Sequence, residues 1–449
     1  MTSLATARRL DPPPGPRLPV AAQSLLFGRY RHRWLPYLRR CYGDTYGLRI
    51  APHNRHLVVI SRPDDLRAVF AGPSTTFHAG EGNAILGPVM GQHSVLLLDE
   101  AEHLRVRRLL TPAFHGASLH GYQDLIRRLT RAEVERWPVG VPFASHRRTT
   151  ALTLEIILRV VFGVTDAGRL AELRPVVERV VTISPLTILG WFYPRLRSRW
   201  PWRRFFQIQR ELDRLLYAEI ADRRRAPDLA ERPDVLSQLL RVGARDEASR
   251  LTDAELRDNL VTLLLAGHET TATALAWAFC ELAREPEVRY RAQRAADEDD
   301  RGYLEAVAKE ALRLHPVIYE VARRVTADVE LGGYRIPAGA TVVPAIGLVQ
   351  ADPMHHRTPG RFDPGRFVGD QPAPNTWLPF GGGVRRCLGA GFSLLEATEV
   401  LGEVLRRFEF TADRPAPERP VPRNITLAPS RGATIRLTRR QTGADAPPS

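Results

Sequence analysis

With 449 residues, 44% of them hydrophobic, the chain can bury a substantial core and has the composition of a soluble globular protein. Its three cysteines, Cys41, Cys280 and Cys387, are far apart, which excludes a disulfide framework or zinc cluster and fits a reducing, cytoplasmic compartment. The formal charge of +14 rests almost wholly on arginine, Lys309 being the single lysine; it is compatible with an acidic redox protein or an anionic membrane, while the lack of a recognisable module or aromatic-basic interleaving speaks against nucleic acid.

Residues 1–19 are proline-rich (Asp11-Pro12-Pro13-Pro14-Gly15-Pro16), with no apolar stretch suited to secretion or anchoring. A helix is expected at Trp34–Tyr42. Tyr46–Ile50 and Leu57–Ile60 then read as a hairpin around Pro52-His53-Asn54. From Asp64 to about Asp328 the periodicity is helical, broken by loops near Gly80–Gly91 and Pro185–Pro201. Short strands follow from Val329, with Gly332-Gly333 and Pro337-Ala338-Gly339 as turns. Arg357–Pro379 is irregular, and Asn424–Thr438 is extended. No repeats occur, and the expected class is α+β, mainly helical, with small sheets near the two ends.

Within this order, several groupings carry chemistry. His103 and Arg107 stand one turn apart on one helix face, for which a solvated face is the ordinary reading. Thr252–Arg284 forms one long helix, opened by the capping box Thr252-x-x-Glu255 and stopped at Glu285-Pro286. His268 and Glu269 interrupt its apolar middle, so it is no membrane span. Gly267 costs about 1 kcal/mol against alanine, so something must approach its backbone closely or gain from a bend. Thr270 can donate to the Ala266 carbonyl four residues back, and the acid beside it, Glu269, completes a proton relay to a bound ligand. Buried Gly and Thr are otherwise ordinary packing residues. Glu310 and Arg313 form an i,i+3 pair, by itself a surface ion pair.

Phe380-Gly381-Gly382-Gly383-Val384-Arg385-Arg386-Cys387-Leu388-Gly389 places a lone cysteine in a glycine-bent loop before an apolar helical run. A thiolate binds metal, and a helix N-terminus lowers a thiol's pKa. Glycines let backbone approach a flat ligand and leave N–H groups for the sulfur. An ordinary turn with a buried cysteine is the bland alternative. A phosphate loop would need a Gly-Lys-Ser/Thr that the chain lacks.

The Phe-x-x-Gly-x-Arg-x-Cys-x-Gly spacing resembles the haem-binding loop of the cytochrome P450 family, and Ala266-Gly267-x-Glu269-Thr270-Thr271 resembles that family's oxygen-binding groove. The resemblance implies haem b (heme; iron protoporphyrin IX), with Cys387 as axial ligand. Phe380, Arg385 and Gly389 would lie around it, and Ala266 and Gly267 across from it. It implies proton delivery by Glu269 and Thr270, and propionate contacts from His103, Arg107, Arg323 and Arg385, with Arg324 as Arg323's competitor. Glu310, Arg313 and Arg366 (of Phe362-x-Pro364-x-Arg366-Phe367) would form a structural network.

It further implies one domain over 20–438, followed by a disordered tail at 439–449. The activity would be hydroxylation, or desaturation or rearrangement, of a hydrophobic terpenoid, fatty acid, steroid or polyketide of secondary metabolism. Oxygen would come from O2, and electrons from a separate ferredoxin with its reductase and NAD(P)H. The alternative is a haem-containing sensor or binding protein, for which a proton relay has no use. Asp11–Pro19, Glu81-Gly82-Asn83 and Leu110–Gly116 resemble a bacterial subgroup related to fatty-acid and terpenoid hydroxylases. By analogy the pocket walls are His78–Leu97, Leu263, Ala266, Thr270, Val317–Val321 and Ile425–Leu427, with Glu320 turned to water. Trp191–Phe206 would form a lid whose aromatic and basic residues also suit peripheral membrane contact.

Overall fold

Burial at every third or fourth position builds the first helix, α1 (Val20–Tyr42), with Gln23, Arg31, Trp34, Leu35 and Leu38 facing inward. It begins well before Trp34: Gly28 and Pro36 interrupt the pattern in sequence, and a bend at Tyr30 (φ −130°, ψ 17°) absorbs the break without ending the helix. This computed structural model describes residues 11–440 apart from 53, 165–166, 182–194, 196–197, 201 and 370–371. The tail, most of the loop at 185–201 and much of the lid segment 191–206 therefore lie outside the described residues.

The other long helices are α2 (Pro63–Ala71), α3 (Glu100–Leu110), α4 (Ala117–Val134), α5 (Ser145–Phe162), α6 (Ala167–Val181), α7 (Trp202–Arg225), α8 (Val235–Arg245), α9 (Asp253–Arg284), α10 (Pro286–Asp297), α11 (Arg301–Leu314) and α12 (Ala390–Arg407). The expected loop at 80–91 contains short helical turns at Ala79–Gly82 and Gly87–Met90. The main apolar core lies among α4, α5, α8, α9, α11 and α12, with Ile126, Leu154, Leu236, Leu275, Val307 and Val400 inside it. No helix among the described residues is long and apolar enough to cross a membrane. Trp200, just before α7, is 81% exposed.

The strands are β1 (Thr45–Ile50), β2 (Arg55–Ile60), β3 (Phe77–His78), β4 (Pro142–Ala144), β5 (Arg323–Val325), β6 (Val329–Leu331), β7 (Tyr334–Ile336), β8 (Thr341–Pro344), β9 (Phe408–Ala412), β10 (Pro420–Arg423), β11 (Thr426–Pro429) and β12 (Thr434–Arg439). The expected hairpin β1–β2 forms with Thr45 opposite Ile60. It does not stand alone. β2 pairs in parallel with β8, giving a five-stranded sheet ordered β1-β2-β8-β5-β3 that joins the two halves of the chain. The proline-rich entry lies against this sheet: Gly47 N–H donates to the Pro14 carbonyl at 2.7 Å, and a Cβ on Gly15 would meet the Gly47 carbonyl at 2.1 Å.

The long helix α9 starts as its sequence dictates. Thr252 Oγ1 accepts from Glu255 N–H, and Glu255 Oε2 accepts from Thr252 N–H at 2.8 Å. Its middle runs against α5. There Thr149 Oγ1 donates to the Ala272 carbonyl at 3.0 Å and Thr153 Oγ1 to the His268 carbonyl at 2.9 Å. The Ile157 side chain fills the space beside Gly267, where a Cβ would sit 2.8 Å from Ile157 Cδ1.

Candidate active site

Nearly all of α9 beyond its first turn is buried, yet Ala266 at its centre is exposed, and Leu263 and Thr270 are partly so. An exposed alanine in the middle of a buried helix marks the wall of an internal cleft. Thr270 Oγ1 donates to the Ala266 carbonyl at 2.7 Å, as the sequence suggests. Gly267 turns the other way, toward Ile157, so helix packing accounts for it. Glu269 and His268 are buried. His268 Nδ1 meets the Leu264 carbonyl at 2.8 Å, and burial lowers its pKa.

The cysteine loop is shaped by its glycines. Gly381 and Gly383 take φ of +65° and +62°. A Cβ on Gly383 would also meet the Phe70 carbonyl oxygen at 1.7 Å, so the loop can rest on the end of α2 only with glycine there. Cys387 N–H donates to the Phe380 carbonyl at 2.8 Å, closing the loop. Phe380 itself packs with Ala274, Leu312, Val317 and Leu394, and its ring meets Trp377 edge-on at 5.9 Å. Thr271 Oγ1 lies 3.1 Å from Ser393 Oγ, tying α9 to the helix that follows the cysteine.

Cys387 combines an accessible surface with depth inside the molecule, as a residue lining an interior cleft does. Burial pushes its thiol pKa up; the Gly389 N–H, Arg107 and Arg386 pull it down without prevailing. This reverses the expected direction. The helix-end donor is present, but desolvation of a lone thiolate outweighs it. A cationic metal at the sulfur would reverse the balance again.

Around the cleft rim, positive charge exceeds negative. Arg385 Nη2 donates to Asp99 Oδ1 at 2.6 Å and also to the Leu98 carbonyl. Arg323 lies with its guanidinium 5.7 Å from the Phe70 ring centroid and, among the described residues, donates to its neighbour's carbonyl, Ala322 O, at 2.8 Å. His103 is buried on α3. Burial and mutual repulsion lower Arg323 to about 10, Arg385 to about 10 and His103 to about 4, the last with Arg385, Arg107 and Arg323 all contributing. Asp99 opposes this crowding. Such a set is complementary to a dianion.

Arg107 Nη2 donates to the Arg386 carbonyl at 2.7 Å, bracing the cysteine loop from α3. Arg324, the competitor for the rim, points to Glu81 at 3.8 Å. An accessible thiol at depth, a glycine cradle, an open alanine wall and a surplus of rim cations together fit a haem with two propionates. Cys387 would hold the iron, and Arg323, Arg385 and His103 the carboxylates.

The Glu310–Arg313 pair is buried, not a surface pair. Arg313 Nε and Nη2 reach Glu310 Oε2 and Oε1 at 2.7 and 2.8 Å, with both side chains fully buried. Arg366 Nε lies 3.4 Å from Glu310 Oε1. Sequence reading missed Gln350, whose Oε1 accepts from Leu378 N–H at 3.0 Å while its Nε2 donates to the Leu312 and Arg313 carbonyls. It also missed Asp99, legible only as an acid just before the His103 helix, and Arg423, which lies 3.4 Å from Glu269 and carries no sequence signal.

One pocket-wall expectation is corrected. Glu320 does not face water; it lies 3.0 Å from the buried Arg31, because α1 covers the segment Val317–Val321. Ile425, by contrast, is 49% exposed at the turn between β10 and β11.

A family model described as "Cytochrome P450" matches residues 12–436. The chain is 51% identical over 427 residues to the protein named cytochrome P450 135A1 of Mycobacterium tuberculosis, covering 95% of each. It is 45% identical over 432 residues to cytochrome P450 135B1 of Mycobacterium bovis, covering 95% of this chain and 91% of that one. Among solved structures, "Retinoic acid bound cyanobacterial CYP120A1" superposes with a TM-score of 0.84 at 24% identity, covering 96% of this chain and 100% of that one.

Proposed function

Because the chain belongs to the cytochrome P450 family, the haem-thiolate monooxygenases that carry haem b on a cysteine, we propose that Cys387 is its haem ligand and that it oxidises an apolar small molecule of the terpenoid, fatty-acid, steroid or polyketide kind. The observation that carries this reading is the pairing of an accessible thiol at depth with the open Ala266–Thr270 face of an otherwise buried helix. When bound, haem supplies the reductive splitting of O2, one atom entering the substrate and the other leaving as water.

The chain's own residues hold and supply. Arg323, Arg385 and His103 hold the propionates. Glu310, Arg313 and Arg366 fix the loop that presents Cys387. Thr270 has already given its hydroxyl hydrogen to the Ala266 carbonyl, so its oxygen is free to accept a proton or a hydrogen bond from the cleft. Burial raises the pKa of Glu269, so at neutral pH it holds a proton more readily than a free carboxylate and can pass it on. Exposed apolar residues such as Ile425 select substrate by shape. Electrons come from a separate ferredoxin in the cytoplasm, attracted by the excess of arginine.

The reduced, CO-treated protein should show the red-shifted Soret band of a thiolate-bound haem, and Cys387→Ser should abolish it. Retention of that band in Cys387→Ser would overturn the ligand assignment. Soret-shift titration across fatty acids, terpenes, steroids and polyketides identifies the substrate class.

A further inference from the structure

Successive residues on a helix point about 100° apart. While Thr270 lines the cleft, its neighbour Glu269 therefore turns toward the β10–β11 hairpin. There Glu269 is buried, and its Oε1 lacks a hydrogen-bond partner. Arg423 is the one cation within ion-pair distance among the described residues, its Nε 3.4 Å from that oxygen. The contact is an ion pair and not a hydrogen bond.

Arg423 closes β10, opposite Thr426 of β11, whose Oγ1 donates to the Arg423 carbonyl at 2.8 Å. The far edge of the guanidinium meets buried His146 of α5, with Nη1 donating to Nδ1 at 3.5 Å. The surrounding bonds settle the tautomer of that ring. Thr273 Oγ1 donates to the Glu269 carbonyl at 2.8 Å, so it can only accept from His146 Nε2 at 3.1 Å. Nε2 therefore carries the hydrogen, and Nδ1 is a bare acceptor for Arg423. The turn is held elsewhere too: Arg31 Nη2 donates to the Ile425 carbonyl at 3.2 Å and Trp277 Nε1 to the Leu427 carbonyl at 3.0 Å.

We propose that Arg423 is the positioning residue for Glu269, holding its carboxylate against the hairpin turn that carries the exposed Ile425. The inference rests on the reading of Glu269 as proton donor. Arg423 is half exposed and its contact is loose, so the pair adds little to fold stability. Its consequence falls on the acid, whose proton affinity is raised by burial and lowered by Arg423 and, to a smaller degree, by a hydrogen bond from Asn424. Asn424, His146 and His268 are the other polar groups around it, and both histidines are kept neutral by burial.

The test is a pH titration of the haem-loaded protein by infrared difference spectroscopy, using Glu269→Gln to identify the Glu269 carboxyl band. In Arg423→Gln the protonated band should persist to a pH higher by about one unit or more, and Arg423→Lys should restore the native midpoint. An unchanged midpoint in Arg423→Gln overturns the proposal. The proton-donor reading is checked separately by the hydrogen peroxide released per NADPH oxidised, with a plant-type ferredoxin, its reductase and the compound giving the largest Soret shift. That ratio should rise severalfold in Glu269→Gln; a native ratio there overturns the donor reading while leaving the placement of Glu269 by Arg423 to the titration.

Discussion

Buried ionisable side chains behave here according to what surrounds them, not according to their type. His146 is the clearest case: burial, helped by Arg423, lowers its pKa to about 4. A histidine that is neutral in the fold but titrates near 6.5 when unfolded supports the fold fully above pH 6.5, and that support is lost as pH falls toward 4. The loss should reach about 3 kcal/mol, and urea melts of native protein and His146→Gln between pH 7.5 and 4.5 should diverge accordingly. Parallel curves would mean that the ring is solvated. Glu310 shows the opposite arrangement, fully buried but fully paired. Glu310→Ala would leave the buried Arg313 charge with carbonyl partners but no carboxylate and should cost about 3–5 kcal/mol, read as a fall in melting temperature with loss of haem. The motif spelled out Cys387, Glu269, Thr270 and Glu310 as a set. It gave no hint that Arg107 would hold the Arg386 carbonyl or that Arg423 would face Glu269, because both contacts join residues from distant segments.

Helix α9 was legible from its first residue to its last, since a capping box and a following proline are local signals. Helix α1 was not: the expected helix began only at Trp34, whereas the chain is helical from Val20 and bends at Tyr30. The glycine in α9 likewise looked like room for a ligand, yet the neighbour filling that space is Ile157 of α5. Gly267→Ala should combine a propensity gain of about 1 kcal/mol with a clash against Ile157 Cδ1. In an Ile157→Val background the Cδ1 contact is gone and only Cγ1 at 3.1 Å remains, so the same change should be more favourable by about 1 kcal/mol. Equal effects of Gly267→Ala in the two backgrounds, measured by urea denaturation, would place the glycine's role elsewhere.

For the molecule as a whole, surplus positive charge has two separate uses. At the cleft rim Arg323 and Arg385 are crowded beyond what Asp99 balances, which suits a bound dianion. Outside, Arg386 is exposed on the cysteine loop, and on the partner reading proposed above it would face an acidic electron donor. Arg386→Glu should slow reduction by a plant-type ferredoxin roughly tenfold at low ionic strength and flatten its salt dependence. Stopped-flow reduction rates that match the native protein at every salt concentration would remove this face from the docking surface.

The sequence alone determined the chemistry, because a metal-binding thiol in a glycine bend, an acid–alcohol pair and a Glu-x-x-Arg brace are each written within a few residues. It also determined most helix limits, which depend on caps and breakers. Only the tertiary structure decided that the N-terminal hairpin joins β8 in one sheet, that Glu320 is buried against Arg31, and that the thiol's pKa is governed by burial more than by its helix. Each of these depends on which distant segment comes to lie alongside, and on how much water that neighbour excludes.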